Sequence, residues 1–336
     1  MTATTPAGAR DEGAIAALTR RHRLKPLEAL PWAAAIAAYF LFPSYLPLGA
    51  QVLIMVLFAL SLDLILGYGG IITLGQAAFF GVGAYTAGLL GAHGWSEPIT
   101  GLLAAAAVAG ALGVVTGLIV LRTEGLTLLM LTLMINVMLY EAANKASTVT
   151  GGSDGLQGVV IDPVLGLFRF DIFGRTAYLY SLAVLFLAWI IVRTVVHSPF
   201  GRSLTGIREN VARMHAIGSP VLLRRLTAYA IAAALSGVAG ALLTQATQFV
   251  GQESLGVDRS GGVLIVLILG GFGRLYGAFV GAPLYMIAQD RLSAYDPAYW
   301  PLAIGGLLIA VVMLARGGVL GLCDTVLALL RGKGTR

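Results

Sequence analysis

Residues 50–66 read Ala-Gln-Val-Leu-Ile-Met-Val-Leu-Phe-Ala-Leu-Ser-Leu-Asp-Leu-Ile-Leu, and residues 67–76 continue Gly-Tyr-Gly-Gly-Ile-Ile-Thr-Leu-Gly-Gln. An apolar run of this length with one charge, Asp63, is close to the roughly 20 residues that cross a bilayer. Four glycines follow within residues 67–75, and each costs a helix about 1 kcal/mol relative to alanine. Backbone that leaves the helix at membrane depth needs protein or water partners, so the break is expected to line a cavity. Asp63 lies one turn before it and should face that cavity or a partner. The competing interpretation is a glycine-rich helix crossing, with Asp63 near the cytoplasmic interface.

The same pattern extends along the chain. Of 336 residues, 58% are apolar and 11% charged, against about 45–50% and about 25% in soluble domains. Too little charge is present to cover a soluble surface, and the chain has material for eight to ten spans. Candidate spans fall at 31–48, 50–66, 77–93, 99–121, 125–143, 177–196, 225–244, 262–273, 276–290 and 298–315. Several are short and glycine-interrupted, which suggests broken helices packed against protein rather than lipid. The expected fold is therefore an all-α polytopic membrane protein with about 8–10 transmembrane helices. Residues 1–30 form a polar N-terminal tail, 31–316 the membrane domain, and 317–336 a C-terminal tail. The first apolar run is too long for a signal peptide and leads straight into another, so it is expected to be a retained span.

Charge sets the orientation. With the N-terminus inside and ten crossings, inside segments carry sixteen Lys and Arg and outside segments five. This positive-inside bias places both termini and residues 197–224 in the cytoplasm, and 144–176 outside. The net charge of +6 then reflects topology, and no nucleic-acid partner is expected.

Several chemistries are excluded. One cysteine, Cys323, permits neither an internal disulfide nor a thiolate cluster. The four histidines are scattered, and no HExxH occurs. No lysine stands in GxxxxGK[ST], so the chain has no P-loop with which to hydrolyse ATP. No cofactor is expected on this chain. An ion-coupled secondary transporter would carry more intramembrane ionisable residues than Asp63 and Glu141. An intramembrane enzyme would need a catalytic constellation that the spans lack. Gly113/Gly117 and Gly277/Gly281 are GxxxG pairs, which report close helix packing and nothing more specific.

Two further segments stand out. Leu269-Gly-Gly-Phe-Gly-Arg-Leu-Tyr-Gly277 joins the two shortest spans through a tight glycine turn. In the inside loop, Ile207, Val211, Met214 and Ile217 recur at helical spacing, so 207–217 reads as a short amphipathic helix stopped by Gly218 and Pro220. Such a helix suits either a membrane surface or a soluble partner.

Residues 59–85, Thr150–Leu156, Gly201–Gly218, and Leu269–Gly281 followed by Pro283 resemble, in order and spacing, the LivM-type permease subunits of branched-chain amino acid ABC importers. The resemblance covers about residues 50–316. It implies a type II-like importer fold and a translocation path for branched-chain amino acids or a related small polar solute. It also implies a second homologous permease subunit, two cytoplasmic ATPase subunits that use ATP, and an extracytoplasmic solute-binding protein. The expected path residues are Asp63, Gly67, Gly69, Gly70, Gly75, Gln76, Gly270, Gly271 and Gly273. Segment 201–218 becomes the coupling loop. Ile207, Val211 and Met214 would enter an ATPase groove, and Arg208, Glu209 and Arg213 would set the register.

Overall fold

The computed structural model describes residues 29–164, 166, 168–171, 173–295, 297, 299–314 and 317–321. Most of both tails expected from the sequence therefore lies outside the described residues. Helix α1, Leu30–Leu41, forms a unit of its own with no buried residue. The single span expected over 31–48 is not continuous. Phe42 leaves the helical region at φ −126° and ψ 61°, because the ring of Pro43 disfavours the α conformation in the residue before it.

The second unit begins at Phe42. Its helices are α2 (Leu46–Asp63), α3 (Gln76–Ala92), α4 (Pro98–Val120), α5 (Gly125–Lys145), the single turn α6 (Ser147–Thr150) and α7 (Arg175–His197). They continue with α8 (Pro199–Glu209), α9 (Val211–Ala216), α10 (Val221–Thr247), α11 (Val257–Gly270), α12 (Gly277–Tyr295) and α13 (Trp300–Leu314). Among the described residues, five helical stretches are long and apolar enough to cross a membrane: 43–68, α4, α5, α7 and α10. The sequence alone could not rank them, but burial does. The apolar window is 78% buried in 43–68 and 61% buried in α10, against 17% in α5 and 28% in α7. Thus α2 and α10 form the centre of this unit, while α5 and α7 turn most of their apolar surface outward.

Small residues allow the centre to close. A methyl on Gly113 or Gly117 of α4 would strike Ala233 or Leu226 of α10, and one on Gly281 of α12 would strike the Val266 carbonyl of α11. The two GxxxG pairs are contact surfaces, as expected from lost packing distance rather than from chemistry. Phe79 meets Tyr229 edge to face, with centroids 5.5 Å apart, locking α3 to α10.

Successive helices alternate between two ends of this unit. One end gathers residues 64–75, 121–124, 198–220, 271–276 and 317–318. There Arg225 pairs with Glu124 at 3.1 Å, and Gly271 abuts Gly317 and Gly318. The other end gathers 93–97, 146–174 and 248–256, where Leu156 and Val250 form a backbone bridge. The first end carries Arg122, Arg202, Arg208, Arg213, Arg224, Arg225 and Arg274.

Candidate functional site

The glycine break starts where α2 widens into a π-helical turn, Leu64–Tyr68. The wider turn carries the chain to Gly70, whose φ of +68° is a left-handed conformation open to glycine at little cost. Gly271 and Gly273, in the second glycine segment, adopt φ of +103° and +75°. The two segments meet. Asp63 accepts a hydrogen bond on Oδ1 from the Gly273 amide at 2.6 Å, and a methyl on Gly67 would overlap both Asp63 and Gly273. Asp63 is 1% exposed, and its Oδ2 has no hydrogen-bond partner.

Arg208 of α8 reaches into this junction from the inside loop. Its Nη1 donates to the Gly67 carbonyl. Its stem lies over Gly70, where an added Cβ would stand 2.8 Å from Cγ. Several further backbone groups in and just after the break also have protein partners. Thr132 Oγ1 accepts from the Leu74 amide at 3.3 Å, Thr73 Oγ1 from Gly75 at 3.0 Å, and Ser260 Oγ from Ala77 at 2.9 Å. Gln76 is fully enclosed, its Nε2 donating to Ser61 Oγ at 2.9 Å while its backbone carbonyl accepts from Ser236 Oγ at 3.1 Å.

The expected path residues therefore divide in an unexpected way. Asp63, Gly67, Gly70 and Gly273 converge on Arg208, and Gly270 and Gly271 pack against Gly277 and Gly317. Gly69, Gly75 and Gln76 are buried in the break itself. None of the nine lines the unit's large cavity. Protein partners take several of the backbone groups freed by the break, while Gly70 and Ile72 remain exposed.

That cavity, about 1100 Å³, lies toward the opposite end. Its wall includes Gln51, Phe80, Tyr140, Glu141, Glu253, Asp258, Arg259, Tyr285 and Gln289, with Ile54, Met55, Val137 and Leu243 supplying apolar surface. It can hold a small solute with both polar and apolar parts. Sequence reading missed Arg259 because the span was started at 262. The helix begins at Val257, which places an arginine in its first turn, on the cavity wall. An ionisable residue at that position is the signal that could have found it.

The inside loop is also rearranged. The continuous helix expected over 207–217 is broken at Asn210, whose extended backbone (φ −158°, ψ 101°) ends α8 and whose side chain caps α9 by accepting from the Arg213 amide at 2.9 Å. Asparagine competes with helical backbone through such local bonds. The apolar stripe does not survive the break. Ile207 is 0% exposed within its own chain and so is not free to enter a partner's groove. Met214 folds back so that its sulfur covers Gly206, and Val211 is half-buried. Glu209, Arg213 and Ile217 are exposed.

Residues 45–315 match the family model described as branched-chain amino acid transport system / permease component. The high-affinity branched-chain amino acid transport system permease protein LivM of Escherichia coli (strain K12) is 28% identical over 83% of this chain and 71% of its own length. The probable branched-chain amino acid transport permease protein LivM of Methanocaldococcus jannaschii is 26% identical over 70% and 78%. The ribose import permease protein RbsC of Bacillus subtilis (strain 168) is 27% identical over 46% and 52%. No solved structure gives a significant match. With the family model spanning the whole of the bundle beyond α1, the chain belongs to the permease components of the branched-chain amino acid transport systems, multi-pass membrane subunits of transporters rather than enzymes.

Proposed function

We propose that the chain is one membrane subunit of an ATP-driven ABC importer, which moves branched-chain amino acids or a related small polar solute through the 1100 Å³ cavity. The observation that carries this reading is the family match over residues 45–315, supported by the LivM relatives. In this reading the chain binds no cofactor. ATP is used by two cytoplasmic ATPase subunits, a second homologous permease completes the path, and a solute-binding protein delivers from outside.

The arginine-rich end of the second unit faces the cytoplasm, and both termini are assigned to the same side of the membrane by the positive-inside rule. The protein would sit in a bacterial inner membrane. The exposed residues of α8, α9 and the turn after them meet an ATPase, Glu209, Arg213 and Ile217 among them. Arg208 carries displacement of that segment to Gly67, and Asp63 passes it to Gly273. The glycine breaks are thus the moving joint of the path rather than its lining. Each has a left-handed glycine whose backbone turns without a side-chain clash.

The complex reconstituted in proteoliposomes should accumulate radiolabelled leucine only with ATP in the compartment that holds the ATPases. Uptake driven by a pH gradient without ATP would overturn the reading in favour of a secondary transporter.

A further inference from the structure

We propose that Arg259 receives the carboxylate of the transported solute inside the cavity. The inference rests on the amino-acid importer reading above and adds a specificity-determining side chain to it.

Arg259 lies in the first turn of α11 and lines the cavity. Its guanidinium rests on the ring of Phe80, with Cζ 5.1 Å from the centroid. This stacking fixes one face of the group and leaves the N–H edge for other use. No described residue takes that edge: among the described residues Arg259 has neither an ion pair nor a side-chain hydrogen bond, although Glu253 and Tyr285 are near enough to act on its charge. Structural arginines away from water are normally paired, because a partly desolvated cation without a counter-ion is costly. An orientated, unpaired guanidinium in a chamber of this size is therefore a site for an anion. The planar fork fits a carboxylate through two parallel N–H···O bonds, and the N-terminal field of α11 adds to the attraction.

The same cavity presents Glu141, Glu253 and Asp258, none of them in ion-pair contact with Arg259 among the described residues. A zwitterion with an apolar side chain needs one cation, a separate acid for its ammonium and a greasy wall, and all three are present. The inference assigns the carboxylate to Arg259 and leaves the ammonium to the acidic residues.

The test uses the complete complex with its binding protein in proteoliposomes, comparing wild type with Arg259→Gln and Arg259→Lys and using leucine as the probe. ATP-driven leucine uptake should fall at least tenfold in Arg259→Gln and recover in part in Arg259→Lys. Stimulation of ATP hydrolysis by the loaded binding protein should stay within about twofold of wild type. Leucine uptake within twofold of wild type in Arg259→Gln would overturn the inference and leave the importer reading standing. So would failure of that variant to co-purify with its partner subunits, since Arg259 would then be an assembly residue. If the wild-type complex itself moved no leucine, the importer reading would fail instead.

Discussion

At the scale of single residues, the junction around Asp63 gives the sharpest expectations. Removing the Arg208 head leaves the Gly67 carbonyl, on a buried residue, without its donor. An unsatisfied buried backbone group costs about 1–3 kcal/mol. Arg208→Ala is expected to abolish leucine uptake while the complex still co-purifies, because the segment around it stays anchored by Leu204 and Ile207, both 0% exposed. Uptake at the wild-type rate would remove Arg208 from the transmission route. Gly70 should be as sensitive. A side chain there must adopt φ +68°, at about 1–3 kcal/mol, and its Cβ meets the Arg208 stem. Gly70→Leu should therefore block uptake by displacing Arg208. Asp63 offers a graded comparison. Asparagine keeps an oxygen for the Gly273 amide and removes a buried charge, so Asp63→Asn should retain uptake and thermal stability. Asp63→Leu should lose both, as a fall in the melting temperature of the detergent-solubilised complex would register.

At the scale of elements, the pair α8 and α9 matters most. Ser198 caps α8 by accepting from the Gly201 amide at 3.3 Å, and Asn210 caps α9, so each helix is fixed separately. With Ile207 turned into its own chain, the face left for an ATPase is polar with one large apolar residue, Ile217, 71% exposed. Exposed charges contribute modestly to such contacts, roughly up to 1 kcal/mol each, whereas burying Ile217 supplies about 1.5–3 kcal/mol. The double variant Arg213→Glu with Ile217→Asp is expected to lose ATPase subunits on purification and to keep the membrane subunit folded, since both side chains are exposed. Normal co-purification and normal uptake would place the docking surface elsewhere.

At the scale of the whole molecule, the prediction is topological. Gln157 and Ala212 are both exposed and lie at opposite ends. With Cys323 replaced by serine, a cysteine at Gln157 should react with an impermeant maleimide in intact cells. A cysteine at Ala212 should react only after permeabilisation. The reverse pattern would invert the orientation and put the α8–α9 segment beyond reach of cytoplasmic ATPases.

Much of the architecture is legible without coordinates. The runs expected at 99–121, 125–143, 177–196 and 225–244 correspond to α4, α5, α7 and α10, because a span must be apolar over its full length and composition records that directly. The charge count, the glycine breaks and the family resemblance are local or additive properties, so the chain determines them by itself. Tertiary structure decided the rest. Arg208 meets Gly67 across 141 residues, and Asp63 meets Gly273 across 210. No periodicity records contacts between segments so far apart, and composition could not show whether water or protein would satisfy the opened backbone at 67–76. Protein takes several of those groups, through Arg208, Thr132 and Thr73. The large cavity lies toward the opposite end, and its wall includes Arg259, which the sequence presents as one more loop charge. Its place on the cavity wall and over the Phe80 ring, which exists only once the helices have packed, is what distinguishes it.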